Sequence, residues 1–236
     1  MSLAARPKII FAPLDGRSDL SGTDIGCSTL LRMMRASELT DCKHEYFPRS
    51  FGELLDFHIY HSVRRCVGKG EPFVVVGGDH SCSYSSILAT SSLLGKMTII
   101  QVDAHHDRHK VPFLTNYTLF HHLAEVPGLS VHHFGNRDEK QQPSTKRELE
   151  AIDLTLPLYI SFDVDCYSPN RVPSVNFPIP KDNDQDVEIF FEWIDSARPT
   201  ICGVDLVEWS RPSSHSDVED SFVFELFKRI CSLAVQ

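Results

Sequence analysis

The residues most suited to chemistry lie in one short segment, IIQVDAHHDRHK, which spans 99–110 and carries two aspartates and three histidines after an apolar run. Side chains alternate between the two faces of an extended chain. If the chain stays extended, Asp103, His105 and Asp107 project to one face and His106 to the other. Two carboxylates and an imidazole on one face can chelate a metal ion, although alone they would also suit the solvated end of a strand.

Two further apolar runs end in the same residue types. PFVVVGGDHS, residues 72–81, ends near His80, and LPLYISFDVDCYSP, residues 156–169, contains Asp163 and Asp165. Open parallel α/β sheets place their sites at the carboxyl ends of strands. Carboxylates at close range cannot all stay ionised without cations. The three segments together therefore predict that these side chains converge on a metal site.

A regular alternation of strands and helices surrounds these segments. Strands are predicted over 8–12, 44–48, 73–77, 97–102, 130–134, 157–162 and 200–206. Helices are predicted over 25–35, 51–69, 83–94, 116–125, 142–150, 185–196 and 216–234. This alternation is typical of an α/β fold in which a parallel sheet lies between two helical layers, a three-layer α/β/α sandwich. One βαβ unit separates His80 from Asp103, so we expect them at the ends of neighbouring strands.

Composition narrows the function classes. The 236 residues suffice for one domain, 1–236, with no repeat or linker, and Met1–Leu3 reads as a cloning remnant. A net charge of −9 argues against nucleic acid and anionic membranes as partners. Seven scattered cysteines without a CxxC pair, and no secretory signal or membrane span, predict a reduced, cytoplasmic protein. Cys82 and Cys166 lie near the predicted site but are interpreted as bystanders.

The motifs GGDHS, DAHHD and SFDVD resemble, in order and spacing, the three metal motifs of the ureohydrolases, the arginase/agmatinase/formimidoylglutamase superfamily. GTDIGCSTLLR, residues 22–32, and GVDLVEWSRP, residues 203–212, are similar to an early glycine-rich and a late acidic segment of that family. The resemblance covers most of the chain. It implies an arginase-like fold that holds two Mn²⁺ ions per chain and a bridging hydroxide, although the spacing leaves other divalent transition metals open.

The resemblance also implies a role for each matching residue. One ion would be held by His80, Asp103, Asp107 and Asp163, and the other by His105, Asp103, Asp163 and Asp165. Asp165 would also accept and relay a proton, and Glu208 would orient the guanidinium group of a substrate. A solvated acid after a strand is the alternative reading of Glu208.

Three departures from the family pattern limit the assignment. Asn116, in NYTLF, stands where relatives carry a proton-shuttling histidine in an HGxxF-type segment, so either His121 or His122 replaces it or Asn116 orients the substrate. The segment SPNRVPSVNFPIPKD, after the third motif, lacks the family's glycines. The short basic run Arg108–Lys110 hints at a substrate with an anionic tail, and it leaves His109 undecided between loop surface and substrate pocket.

The sequence thus predicts a binuclear manganese-dependent hydrolase of linear C–N bonds in amidines and guanidines. The expected substrate is a small guanidino or formimino acid, with release of urea or a related product, and a homo-oligomer is compatible with this. Two alternatives stay open. One is a metal hydrolase of another amide or amine derivative, and the other is a catalytically silent metal-binding relative that acts by assembly with a partner.

Overall fold

The structure, a computed structural model, describes residues 6–14, 22–48, 52–135, 146–179, 184–210 and 217–236. The strands are β1 Lys8–Ala12, β2 His44–Tyr46, β3 Phe73–Gly77, β4 Met97–Val102, β5 Leu129–Phe134, β6 Leu158–Asp163 and β7 Ile201–Val207. The helices are α1 Thr23–Arg35, α2 Gly52–Gly68, α3 Cys82–Leu94, α4 Leu119–Ala124, α5 Lys146–Glu150, α6 Asp184–Ala197 and α7 Asp217–Leu233. A short 3-10 turn, Val164–Cys166, follows β6.

The seven strands form one parallel sheet in the order β2-β1-β3-β7-β6-β4-β5. β3, β4 and β6 are buried along their whole length, as expected for apolar strands covered on both faces. One apolar cluster joins one face of the sheet to α1, α5, α6 and α7, and a second joins the other face to α2, α3 and α4. The predicted α/β/α sandwich is therefore confirmed.

The strand order corrects one expectation about the site. β3 and β4 are separated by β7 and β6, so His80 and Asp103 do not follow neighbouring strands. The four strands β3, β7, β6 and β4 are nevertheless consecutive in the sheet, and their carboxyl ends lie along the same edge. The chain segments that follow these strands can therefore still meet above the centre of the sheet.

Most predicted element bounds agree with the structure to within two residues, and the start of α4 is the clearest exception. The prediction began this helix at residue 116, but it begins at Leu119. The amide of Thr115 donates to Oγ1 of Thr118, and that hydroxyl donates to the carbonyl of Phe113. This side-chain bonding closes a turn in place of the first helical turn.

Some predictions reach beyond the described residues. Positions 142–145 of the predicted helix 142–150, and residue 216 of the predicted helix 216–234, lie outside them. Over the described ranges, no helix combines the length and the apolar character needed to cross a bilayer.

Candidate metal centre

His80 lies at the centre of the predicted cluster. Its ring is fully buried, and its Nδ1 atom lies 3.2 Å from Oδ2 of Asp103, 2.9 Å from Oδ2 of Asp107 and 3.1 Å from Oδ2 of Asp163. This nitrogen makes no well-formed hydrogen bond to any described residue. His80, Asp103 and Asp163 form a donor set that could hold a divalent cation, and Asp107 adds a third carboxylate oxygen beside the same nitrogen.

A second group of possible ligands adjoins the first. Nδ1 of His105 lies 2.7 Å from Oδ2 of Asp165 and 3.8 Å from Oδ1 of Asp103. These three side chains could also hold a metal ion. Asp103 belongs to both groups, and His105 is partly exposed, so the two candidate positions are adjacent and one of them opens toward solvent.

The chain brings these residues together by turning, so the expectation of an extended chain is wrong. β4 ends at Val102, and Asp107 has a φ of 48° in the left-handed region. His106 does face elsewhere, as expected, since its ring packs on that of His133 with centroids 4.2 Å apart. His133 in turn donates from Nε2 to the carbonyl of His105 at 2.7 Å. After the turn Nδ1 of His105 faces Oδ2 of Asp165, whereas Oδ2 of Asp107 faces Nδ1 of His80.

Three of the aspartates share one hydrogen-bonding pattern. Oδ1 of Asp103 accepts from the amide of His105, Oδ1 of Asp163 accepts from the amide of Asp165, and Oδ1 of Asp165 accepts from the amide of Ala104. In each case Oδ2 faces a histidine of the cluster. One oxygen of each carboxylate is therefore fixed by backbone and the other is directed into the candidate site.

Several supporting residues were not predicted. Nε2 of Gln101 donates to Oδ2 of Asp103 at 2.6 Å. Nε2 of His80 lies 3.0 Å from Oγ of Ser161, and that hydroxyl donates to Oδ1 of Asp205 at 2.8 Å. Because the hydroxyl proton is used on Asp205, Nε2 must carry the imidazole proton. When the ring is neutral, its lone pair is then on Nδ1 and faces the three carboxylates, which is the form that binds a metal.

A sequence signal for these residues existed. Gln101 and Ser161 each lie two residues before a predicted aspartate, so on a strand they share its face. Asp205 lies within the quoted segment GVDLVEWSRP, where only Glu208 received a role. Its carboxylate is fully buried inside the sheet, where it also accepts from the hydroxyl of Tyr159.

Glu208 is buried beside His80, so the solvated reading of this acid is wrong. Its Oε1 accepts from the amide of His80 at 2.7 Å and from Nδ2 of Asn116 at 3.4 Å. Its Oε2 accepts from Nδ2 of Asn176 at 3.2 Å. The backbone at Glu208 has a φ of 66°, and its amide donates to the carbonyl of Gly78. The structure thus joins Asn116 and Glu208, while Asn176 was not predicted.

The two histidines of α4 have contacts elsewhere. His121 pairs with Glu125 one turn along its own helix, with Nε2 and Oε1 3.9 Å apart. The ring of His122 packs edge-on against Tyr84 of α3. Neither contact joins these histidines to the carboxylate cluster, so a proton-shuttling role for His121 stays a prediction. His109 is exposed and its ring contacts Tyr117.

Three acids, Asp107, Asp163 and Glu208, are held in a setting that disfavours negative charge, whereas at Asp165 burial is outweighed by His105, which lowers the pKa of Asp165. Burial, reinforced by Asp103, raises the pKa of Asp107 to about 7. Burial, reinforced by Asp79, raises the pKa of Glu208 to about 8. Burial also raises the pKa of Asp163 well above its ordinary value. In the absence of cations these carboxyl groups therefore favour the protonated form.

The histidines shift in the complementary direction. Burial alone would lower the pKa of His80, but the three carboxylates around it outweigh burial and raise that pKa well above its ordinary value. In the same way Asp165 outweighs burial at His105 and raises the pKa of His105 to about 9. Without metal, the cluster is thus compensated by protons.

These shifts predict how the stability of the metal-free protein depends on pH. Asp107 and Glu208 have raised pKa values in the folded state, so the folded state loses stability as pH rises from about 4 through about 8. The raised pKa of His105 stabilises the fold fully below about 6.5, and this contribution is lost as pH rises through about 9. We therefore expect the melting temperature of EDTA-treated protein to fall between pH 5 and pH 9.

Manganese-loaded protein provides the comparison. Cations replace the protons, and their ligands must be deprotonated, so added Mn²⁺ should raise the melting temperature more at pH 8 than at pH 5.5. A metal-free protein that grows more stable toward pH 9, or a melting temperature indifferent to Mn²⁺ at pH 8, would contradict this account of the cluster.

Known proteins are similar to this chain over most of its length. The Arginase family profile matches residues 6–154. The agmatinase of Proteus mirabilis is 24% identical over 210 residues, which are 79% of this chain and 67% of that protein. Three further curated agmatinases are matched over 50% to 54% of their length, so the chain spans about half to two thirds of these relatives.

Solved structures share the fold at low identity. Proclavaminate amidino hydrolase from Streptomyces clavuligerus has a TM-score of 0.79 and 17% identity, over 98% of this chain and 92% of that chain. Formimidoylglutamase from Bacillus subtilis has a TM-score of 0.77 and 16% identity, over 100% of this chain and 88% of that chain. The parallel sheet and its helical layers are thus shared nearly from end to end.

Proposed function

The chain belongs to the arginase family, and from this premise we propose that it is a metal-dependent hydrolase of linear C–N bonds in amidine or guanidine groups. The observation that carries the proposal is the setting of His80, whose Nδ1 faces carboxylate oxygens of Asp103, Asp107 and Asp163 within 3.2 Å. Relatives named agmatinase, proclavaminate amidino hydrolase and formimidoylglutamase support a small guanidino or formimino substrate.

Two divalent ions fit the residues that are present. In this proposal His80, Asp103, Asp107 and Asp163 hold one ion, and His105, Asp103, Asp163 and Asp165 hold the other. Four carboxylates balance the charge of two divalent cations, and an oxygen-rich set with few imidazoles suits Mn²⁺. When bound, such ions supply Lewis-acid activation of water near neutral pH.

The chain's own residues have separate tasks in the reaction. Glu208, buried next to the cluster, is the acid that would meet the cationic head of the substrate. Asp165 is fixed through Oδ1 by the amide of Ala104, and its Oδ2, which lies beside His105, would accept a proton from the attacking water. Asn116 has no titratable group near neutral pH, so the proton for the leaving amine comes from Asp165 or from a histidine such as His121.

The test is a product assay on Mn²⁺-loaded protein across guanidino acids, guanidino amines and formimino acids. Urea release from a guanidino compound, or formamide release from a formimino compound, is the expected result. Asp163→Ala, which removes a proposed metal-binding side chain, is the matched negative control. Metal-loaded protein that releases no product from any member of the panel would overturn the proposal and favour a catalytically silent relative. A cytoplasmic location and a homo-oligomeric assembly belong to the same proposal.

The unpredicted pair Ser161 and Asp205 gives a more specific expectation. Ser161→Ala removes the group that fixes the protonated nitrogen of His80, so the ring can turn its lone pair away from the carboxylates. We expect metal affinity to fall by about 10- to 100-fold, the usual effect of losing such a supporting contact. Titration with Mn²⁺ measures it, and Ser221→Ala, on the exposed face of α7, is the control. Equal affinities in the two variants would show that this relay does not tune the site.

A further inference from the structure

Two of the departures from the family pattern meet at one carboxylate. Asn116, which replaces the expected histidine, donates to Oε1 of Glu208. Asn176, from the segment that lacks the family's glycines, donates to Oε2 of Glu208. Ser210 in turn donates to Oδ1 of Asn176 at 2.8 Å, which fixes the orientation of that amide. Two positions 60 residues apart in the sequence thus hold the same acid from both of its oxygens.

Most of the acceptor positions on the carboxylate of Glu208 are already filled by hydrogen bonds. A carboxylate offers about four acceptor positions, two on each oxygen. Oε1 accepts from His80 and Asn116, and Oε2 accepts from Asn176. About one position therefore remains, on Oε2. Its donors in the described ranges are uncharged, one backbone amide and two side-chain amides.

Asn116 has an acceptor without a partner. Its side chain is 6% exposed, and its Oδ1 makes no hydrogen bond to any described residue. With Glu208 ionised, turning the amide around is unfavourable, because it would place Oδ1 against a carboxylate oxygen in place of Nδ2. A buried acceptor left unpaired is unfavourable, so this oxygen is suited to an N–H group from a bound molecule.

We propose that Asn116, Asn176 and Glu208 form an amide clamp, in which Asn176 positions the carboxylate and Oδ1 of Asn116 accepts an N–H group of the substrate. The matching ligand is a planar cation with N–H donors on two of its nitrogens, one for Oε2 of Glu208 and one for Asn116. Amidinium and guanidinium heads have this pattern. The part of this inference that concerns hydrolysis rests on the proposed function, whereas binding of the cation does not depend on it.

Binding of acetamidinium chloride, a head group without a tail, tests the clamp directly by calorimetry on Mn²⁺-loaded protein. Asn116→Ala and Asn176→Ala should each weaken binding by about tenfold or more, as expected for a lost hydrogen bond to or around a charged group. Asn176→Asp, which keeps the shape but replaces the donor with an acceptor, should weaken it similarly. Asn170→Ala, an exposed asparagine on the same loop, should bind like the unmodified protein.

Further readouts separate positioning from general damage. Metal content should stay unchanged in the asparagine variants, and Asn116→Ser serves as a second variant if Asn116→Ala melts early. Tetramethylammonium, a cation without N–H groups, should not bind more weakly to Asn116→Ala. With a substrate from the panel, Asn176→Ala should raise KM more than it lowers kcat.

The outcomes are distinguishable. Clamp variants that bind acetamidinium as tightly as the unmodified protein would overturn the clamp, and so would unmodified protein that does not bind acetamidinium. If acetamidinium binds as expected but no panel compound is hydrolysed, the clamp stands and the proposed function fails.

Discussion

Asp163→Ala is expected to lower the manganese content from about two ions per chain to one or fewer and to bring turnover below detection. Oδ2 of Asp163 faces His80, and its Oδ1 accepts from the amide of Asp165, so the variant would lose a ligand proposed for both ions and the acceptor that holds the Asp165 amide. Elemental analysis after reconstitution and gel filtration measures the metal, and the product assay measures turnover.

His106→Ala is the matched control for this change. His106 adjoins the proposed ligand His105 in sequence, but its ring packs on that of His133. It should therefore keep about two ions per chain. If Asp163→Ala and His106→Ala retain equal amounts of metal, the assignment of Asp163 as a ligand is contradicted.

Glu208→Gln is expected to lower kcat/KM by about 10²- to 10³-fold, because a buried cationic head would lose its counter-charge. The amide also fits the donors poorly. Its oxygen can accept from His80 and Asn116, but its NH₂ group then faces Nδ2 of Asn176, whose Oδ1 is committed to Ser210. Steady-state kinetics at pH 7 measures the change, with metal content checked in parallel.

Glu192→Gln changes the formal charge by the same amount on an exposed position of α6 and should leave kcat/KM unaltered. Since Glu208 is not assigned to either ion, Glu208→Gln should keep its metal. A Glu208→Gln enzyme with unchanged kcat/KM would mean that another acid meets the substrate.

The strands could be predicted well because their residues are buried on both faces. β3 and β4 are short, apolar and rich in β-branched residues, and the predicted bounds coincide with the observed ones. The order of the strands carries no such local signal. β7 and β6 enter between β3 and β4 because of packing between distant segments, so the expectation that His80 and Asp103 follow neighbouring strands was wrong.

The sequence predicted which residues form the candidate site better than it predicted how they are arranged. Motif spacing identified the acids and histidines that converge, but the left-handed backbone at Asp107 has no mark in the sequence. Asn176 was missed for a related reason: its contact with Glu208 depends on how a loop after the 3-10 turn returns to the sheet. Ser161 could have been predicted, since residues two apart on a strand share a face and this places Ser161 on the face of Asp163.

The backbone of the candidate metal centre has a consequence for local unfolding. The described non-glycine residues with positive φ are Asp107, Arg198 and Glu208, so two of the three are acids of this centre. Such a conformation costs about 1–3 kcal/mol at each residue. In metal-free protein no bound cation helps to offset this cost, so the segments that follow β4 and β7 would open at lower free energy than the sheet below them. Bound cations would then stabilise these segments against local opening. Amide hydrogen exchange in the segments would slow as metal is added, with little change in the core strands.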